Sequence, residues 1–181
     1  MILSDSELVE MLREPRTRRE GFAVLVKQYS EKLYWKVRRI VLSHEDANDV
    51  LQNVFIKVWS NLQNFQGKSS LSTWLYRIAI NESLDFLRKQ KMADVVSSDE
   101  DLSVSYRLMS DEYFDGDEIQ ARLQEAVARL PEVQRTVFNL KYFEEMKYSE
   151  ISQILNTSEG ALKASYHLAV KKITEYLHSF D

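Results

Sequence analysis

The chain has 181 residues, 24 Lys+Arg against 28 Asp+Glu, a formal net charge of -4, 44% apolar residues, Gly 4, Pro 2 and no cysteine. That length holds one domain or two small ones, and apolar content with so few helix breakers points to a helical chain rather than a disordered, collagenous or sheet-rich one. The lack of cysteine excludes a disulfide scaffold, a zinc finger and a thiol nucleophile. Met1-Ile2-Leu3-Ser4-Asp5 offers no basic stretch before an apolar run, and no segment reaches membrane-span length, so a soluble cytoplasmic protein without membrane insertion is expected.

The charge is unevenly spread. Residues 1–93 hold 15 Lys+Arg against 11 Asp+Glu, 94–118 hold nine carboxylates and only Arg107, and 119–181 balance at eight of each. A phosphate backbone responds to where charge sits, so the acidic total does not exclude nucleic acid. The middle stretch also loses helical periodicity and clusters turn formers with like charges, which reads as a flexible acidic linker over 94–118 between domains at 1–93 and 119–181.

In chain order, Ser4 with Glu7 has the form of a capping box opening a short helix. Phe22, Leu25, Val26, Tyr29, Leu33, Val37 and Ile40 then recur at helical spacing. Ser43 with Asp46 opens the next pattern, Val50, Leu51, Val54, Phe55, Val58 and Leu62. The turn-rich stretch Phe65 to Ser70 precedes a third, Trp74, Leu75, Ile78, Leu84 and Leu87. Beyond the linker, Ile119, Leu123, Ala126, Val127 and Leu130 form an amphipathic helix, Pro131 starts another running to about Phe143, and Tyr148–Leu155 and Ser158 to about Leu177 flank Asn156-Thr157. The expected fold is all-α, two small helical domains, the second with helix-turn-helix spacing.

In that motif Ile151, Leu155 and Leu162 take the buried positions, and Leu162, Tyr166, Ala169 and Ile173 share one face of the second helix. Lys163, His167, Lys171 and the small Ala161 and Ala164 fall on other faces, while Gly160 and the first-turn N–H groups near Ser158 permit close approach of a phosphate, opposed by Glu159. A plain helical hairpin has the same spacing. In the first lobe, Gly67-Lys68-Ser69-Ser70 followed by Trp74, Arg77, Asn81, Arg88, Lys89 and Lys91 combines cations, an amide and an aromatic. Aromatic faces stack on unpaired bases at roughly 1–3 kcal/mol each, whereas Trp74 beside Leu75 and Ile78 equally suits a core.

Enzyme signatures are missing. Glu175-x-x-His178 supplies one half of a helical di-metal motif without a second copy, His44 and His167 stand alone, and there is no His-Glu-x-x-His, Gly-x-Ser-x-Gly or phosphate-cradling glycine loop. No catalytic residue, metal, cofactor or small-molecule substrate is expected.

Two sets of residues carry a family likeness. Asp46-Ala47-Asn48-Asp49-Val50-Leu51-Gln52-Asn53-Val54-Phe55, Phe65-Gln66-Gly67, Ser72 to Asn81, Asp85 and Arg88-Lys89 resemble region 2 of the extracytoplasmic-function sigma factors of the sigma-70 superfamily. Leu130-Pro131, Arg135, Phe138, Tyr142, Glu150-Ile151 and Gly160 to Ser165 resemble region 4. The resemblance implies a subunit that binds core RNA polymerase, recognises promoter DNA and helps melt it, and that an anti-sigma factor holds inactive. By the same resemblance Asp49, Gln52, Asn53, Phe55 and Trp59 would meet the polymerase; Gln66, Lys68, Ser69 and Ser70 would receive a flipped base, with Trp74, Arg77, Asn81, Arg88 and Lys89 bordering the melted strand. Ser158, Gly160, Lys163, Ala164, His167 and Lys171 would enter the upstream element's major groove, with Arg135 and Lys141 on the DNA backbone. Where many members carry arginines, Ser165, Leu168 and Val170 stand here, which implies weak DNA binding by the isolated chain. The linker would thread basic polymerase channels through its carboxylates.

Two other functions compete: a stand-alone helix-turn-helix regulator, and a helical adaptor without nucleic acid. The first lobe separates them, since a repressor has no need of both the Asp49-Gln52-Phe55 surface and the Gly67-to-Asn81 loop and helix.

Overall fold

Ser4 caps the first helix as its spacing predicts: its hydroxyl accepts the Glu7 N–H and the Glu7 carboxylate accepts the Ser4 N–H at 2.8 Å, opening α1 (Asp5–Arg13). α2 (Arg18–Val41), α3 (His44–Asn61) and α4 (Leu71–Met92) follow in the first unit. The second unit contains α5 (Glu118–Ala128), α6 (Glu132–Phe138), α7 (Tyr148–Leu155) and α8 (Glu159–His178). This computed structural model describes residues 2–92 and 116–181, which fall into two separate packing units. The linker reading lies outside the described residues except at its end, where it needs correction: Asp117 is the N-cap of α5, accepting the Gln120 N–H at 2.9 Å, and Glu118 is its first residue. Both carboxylates stabilise the positive end of the helix dipole.

The core of the first unit is the apolar stripe of each helix turned inward: Leu8 and Leu12 from α1, Leu25, Leu33, Val37 and Ile40 from α2, Ala47, Val50, Val54 and Val58 from α3, and Leu71, Leu75, Ala79 and Ile80 from α4. Gly21 is required where α1 crosses α2, because a Cβ there would lie 2.9 Å from the Met11 Cβ. Among the described residues no helix is long and apolar enough to cross a membrane, and no cluster of His, Asp or Glu could hold a metal ion.

α1 is also tied to α2 by polar contacts. Gln28 donates to the Leu3 carbonyl at 2.9 Å and accepts its N–H at 3.1 Å, and the Tyr29 hydroxyl donates to Asp5 at 2.5 Å. Burial first, and then the bond to Asp5, push the Tyr29 phenol above its ordinary value. The folded state therefore favours the neutral phenol, so this contribution is complete below the unfolded phenol's pKa of about 10 and declines as pH rises beyond it. Tyr29→Phe is expected to lose about 1 kcal/mol near neutrality and to give a shallower alkaline fall in stability, read from urea melts at neutral and alkaline pH.

In the second unit Ala126, Val127, Leu130, Phe138, Ala169 and Ile173 form the core, with Leu123, Tyr166 and Tyr176 packed on it. Two expectations change here. The helix after Pro131 does not run regularly to Phe143: α6 ends at Phe138 and a π-helical turn spans Asn139–Phe143, closed by the Glu144 N–H on the Asn139 carbonyl at 3.2 Å. The wider turn keeps Asn139 and Leu140 buried while Tyr142 stacks on Phe138 and Phe143 meets it edge-on, a packing demand that overrides regular periodicity. Ile119 has the phase of the buried stripe but is 74% exposed in the first turn of α5, where Ala121 is the first residue to reach the core.

Candidate nucleic-acid and partner interfaces

On α3 the buried stripe of Ala47, Val50, Val54 and Val58 leaves Asp49, Gln52 and Asn53 on the outward face. Phe55 and Trp59 lie at its edge, where Phe22 from α2 meets both rings edge-on at 6.4 and 5.0 Å. Trp59 is still 41% exposed. Sequence reasoning missed Ile56, 63% exposed between these residues. Its signal was legible, since an isoleucine stands opposite the buried phase of the helix. Lys57 bonds to Glu82 across to α4, a contact that raises the ammonium's pKa and holds the two helices in register. At the start of α3 burial, followed by the nearby Asp49, pushes the Asp46 carboxyl above its usual range.

The loop from Phe65 to Ser70 turns at Gly67, whose φ of +70° is strained for any residue with a side chain. Gln66 and Lys68 are exposed and Ser69 is half-buried. Ser70 acts first as the N-cap of α4: its hydroxyl accepts the Thr73 N–H at 3.2 Å and its carbonyl accepts that of Trp74 at 3.1 Å. On α4, Trp74, Arg77, Asn81 and Arg88 follow one stripe, with Asn81, Arg77 and Arg88 exposed and Lys89 exposed to one side. Trp74 is half-buried with Phe65 against it at 5.1 Å, intermediate between the core and stacking readings. Arg88 pairs with Asp85 at 2.9 Å on the surface, a contact weak enough to exchange for a phosphate.

In the second unit the helix-turn-helix geometry is present. Asn156 ends α7 in the left-handed conformation at φ 51°, Ser152 donates to the Thr157 carbonyl across the turn at 2.7 Å, and Ser158 caps α8 by accepting the Ala161 N–H at 3.2 Å. Ile151 and Leu162 are fully buried and Leu155 is half-buried. Gly160, Lys163, Ala164, His167 and Lys171 therefore share one exposed stripe of α8. A Cβ built at Gly160 meets nothing within 4 Å, so the chain's own packing does not demand the glycine, and the bare surface remains for an approaching backbone.

Arg135 and Lys141, expected on the DNA backbone, both bond to carbonyls of their own unit. Arg135 donates to the Leu130 carbonyl at 3.2 Å across the α5–α6 junction, and its burial lowers the guanidinium's pKa against the opposing effect of Glu132. The need to satisfy a carbonyl at the end of α5 draws it inward. Lys141 donates to the Met146 carbonyl at 3.2 Å and lies 4.6 Å over the Tyr148 ring. Lys163 approaches the same ring at 5.7 Å, so Tyr148 links the π turn to the exposed stripe of α8. That role has no one-dimensional signal, because it exists only once three elements have packed.

Residues 25–92 match the family model for sigma-70 region 2, and residues 120–173 match that for sigma-70 region 4. The chain is 32% identical to the ECF RNA polymerase sigma factor SigW of Bacillus subtilis, over 82% of this chain and 84% of that protein. It is also 32% identical to the RNA polymerase sigma-H factor of Pseudomonas aeruginosa, over 96% and 93% of the two chains. Among solved structures it shares the fold of the sigma factor RpoE of Bartonella quintana in complex with the anti-sigma factor NepR, with a TM-score of 0.64 and 18% identity, over 88% of this chain and 98% of that one.

Proposed function

Because the chain belongs to the extracytoplasmic-function sigma factors of the sigma-70 family, we propose that its exposed stripes divide initiation between a polymerase contact, a melted-strand contact and a duplex contact. It is an alternative sigma factor, which binds core RNA polymerase and directs promoter recognition and melting; the matches to both regions displace the stand-alone regulator reading. Asp49, Gln52, Asn53, Phe55 and Trp59 meet the polymerase, joined by the exposed Ile56. Gln66, Lys68 and Ser69 receive an unpaired base at the loop held by Gly67 and Ser70, and Trp74, Arg77, Asn81, Arg88 and Lys89 border the strand. α8 enters the major groove by Gly160, Lys163, Ala164, His167 and Lys171, while Ser158, Arg135 and Lys141 hold its frame. The observation that carries this division is the outward stripe of α8 behind the Ser158 cap, together with the exposed α4 stripe on a separate unit.

The chain acts in the cytoplasm, forms no phosphodiester bond itself, and is restrained by an anti-sigma factor, as the Bartonella relative's complex supports. Run-off transcription with core RNA polymerase, with and without this protein, tests the reading: new discrete start sites are expected. Lys163→Ala is expected to lose about 1–3 kcal/mol at cognate promoters if it reads a base, and to weaken every DNA alike if it meets phosphate. Unaltered start-site use and unaltered promoter affinity would remove Lys163 from the interface.

A further inference from the structure

Tyr148 opens α7, the first helix of the helix-turn-helix, and Lys163 stands in the second turn of α8. Ile151, one turn on from Tyr148, and Leu162, beside Lys163, are both fully buried as α7 packs on α8. That packing sets the Lys163 ammonium 5.7 Å from the centroid of the Tyr148 ring. Lys141 lies over the same ring at 4.6 Å, but its ammonium is tied down by donating to the Met146 carbonyl at 3.2 Å. Burial of Tyr166, and then the nearby Tyr148 and Tyr142, push the Tyr166 phenol above its ordinary value, which places three tyrosines together at this surface. The Tyr148 ring is therefore shared by an anchored cation and by Lys163, whose side chain remains exposed in the outward stripe of α8.

We infer that Tyr148 is a positioning residue for the duplex contact: its ring holds the Lys163 ammonium in place on the outward stripe of α8 before DNA arrives. The inference rests on the reading of α8 as the helix that enters the major groove. Lysine carries a point charge on a flexible four-carbon stem, and ordering such a stem on binding costs affinity. An ammonium within about 6 Å of a ring centroid is drawn to the negative face of the ring, so part of that freedom is given up in the unbound protein. Ser165, Leu168 and Val170 bring no charge to α8, which leaves the contact dependent on how well its few cations are placed. The attraction needs the ring and not the hydroxyl, so phenylalanine can replace Tyr148 and an aliphatic side chain cannot.

The test uses holoenzyme assembled from core RNA polymerase and the full chain, on a promoter fragment found by run-off transcription and kept at a temperature too low for melting. Tyr148→Leu is expected to weaken binding about fivefold, and Tyr148→Phe to bind as the parent does. In a Lys163→Ala background, Tyr148→Leu is expected to change the affinity by less than about twofold, because a ring with no ammonium to place has nothing to contribute. A purely structural role for Tyr148 would instead weaken binding equally in both backgrounds. An equal loss in the two backgrounds overturns the inference. So does a loss from Tyr148→Phe as large as from Tyr148→Leu, which would make the hydroxyl a direct contact. A loss from Lys163→Ala with none from Tyr148→Leu overturns the positioning role alone, whereas no loss from Lys163→Ala removes both that role and Lys163 from the duplex contact.

Discussion

Ile56→Asp is expected to abolish stable association with core RNA polymerase while both helical units remain folded. The side chain is 63% exposed on α3, opposite Ala47, Val50, Val54 and Val58, so a carboxylate there costs the isolated chain almost nothing. In the complex it would be buried beside the ring cluster of Phe22, Phe55 and Trp59, without a partner. Truncations of central, desolvated anchors cost about 2 kcal/mol or more, and a buried unpaired charge adds to that. The affinity should therefore fall by well over about 30-fold. Titration of labelled protein with core polymerase measures the loss, and a superimposable thermal melt excludes unfolding as its cause. Retained affinity would move the polymerase contact off this face of α3.

Leu162→Ala should unfold the helix-turn-helix at physiological temperature and leave the first unit intact. Leu162 is fully buried at the start of α8, and Ile151 of α7 is equally buried on the other side of the turn. Large-to-small changes at such positions cost about 2–5 kcal/mol, the residual cavity adding to the lost transfer energy. The described part of the second unit, 116–181, has a core built around a few residues of α5, α6 and α8, and small domains have little stability in reserve. The chain provides its own control, since Trp35, Trp59 and Trp74 all lie in the first unit. Tryptophan fluorescence thus follows the first unit alone, while far-ultraviolet circular dichroism follows both. Urea melts of the variant are expected to show an early circular-dichroism phase with an unmoved fluorescence midpoint. Movement of both signals together would mean that the units do not unfold independently.

The element boundaries owe most to short-range chemistry. Ser4, Ser43 and Ser158 each accept an N–H of the first helical turn, and Asn156 takes the left-handed turn, because these contacts join residues a few positions apart and are written in the local sequence. Asp117 escaped this reading because its cap lies inside an acidic run whose composition resembles a linker. The outward stripe of α8 was legible for a related reason: Leu162, Ala169 and Ile173 bury at helical period, which leaves Gly160, Lys163, His167 and Lys171 outside.

Sequence by itself therefore determined the all-α class, the two helical lobes, the caps and the faces of most helices, since period and local hydrogen bonding act within one element. Only the tertiary structure decided which cations are available. Arg135 turns in to the Leu130 carbonyl, Lys141 to Met146 and Tyr148, Lys57 to Glu82, and Lys36 to Tyr76, whereas Lys68 and Lys163 stay exposed. Each of those pairings depends on which carbonyl, carboxylate or ring the packing brings within a few ångströms of a long flexible side chain. That is a property of the relative placement of helices, and the period of any one of them carries no record of it.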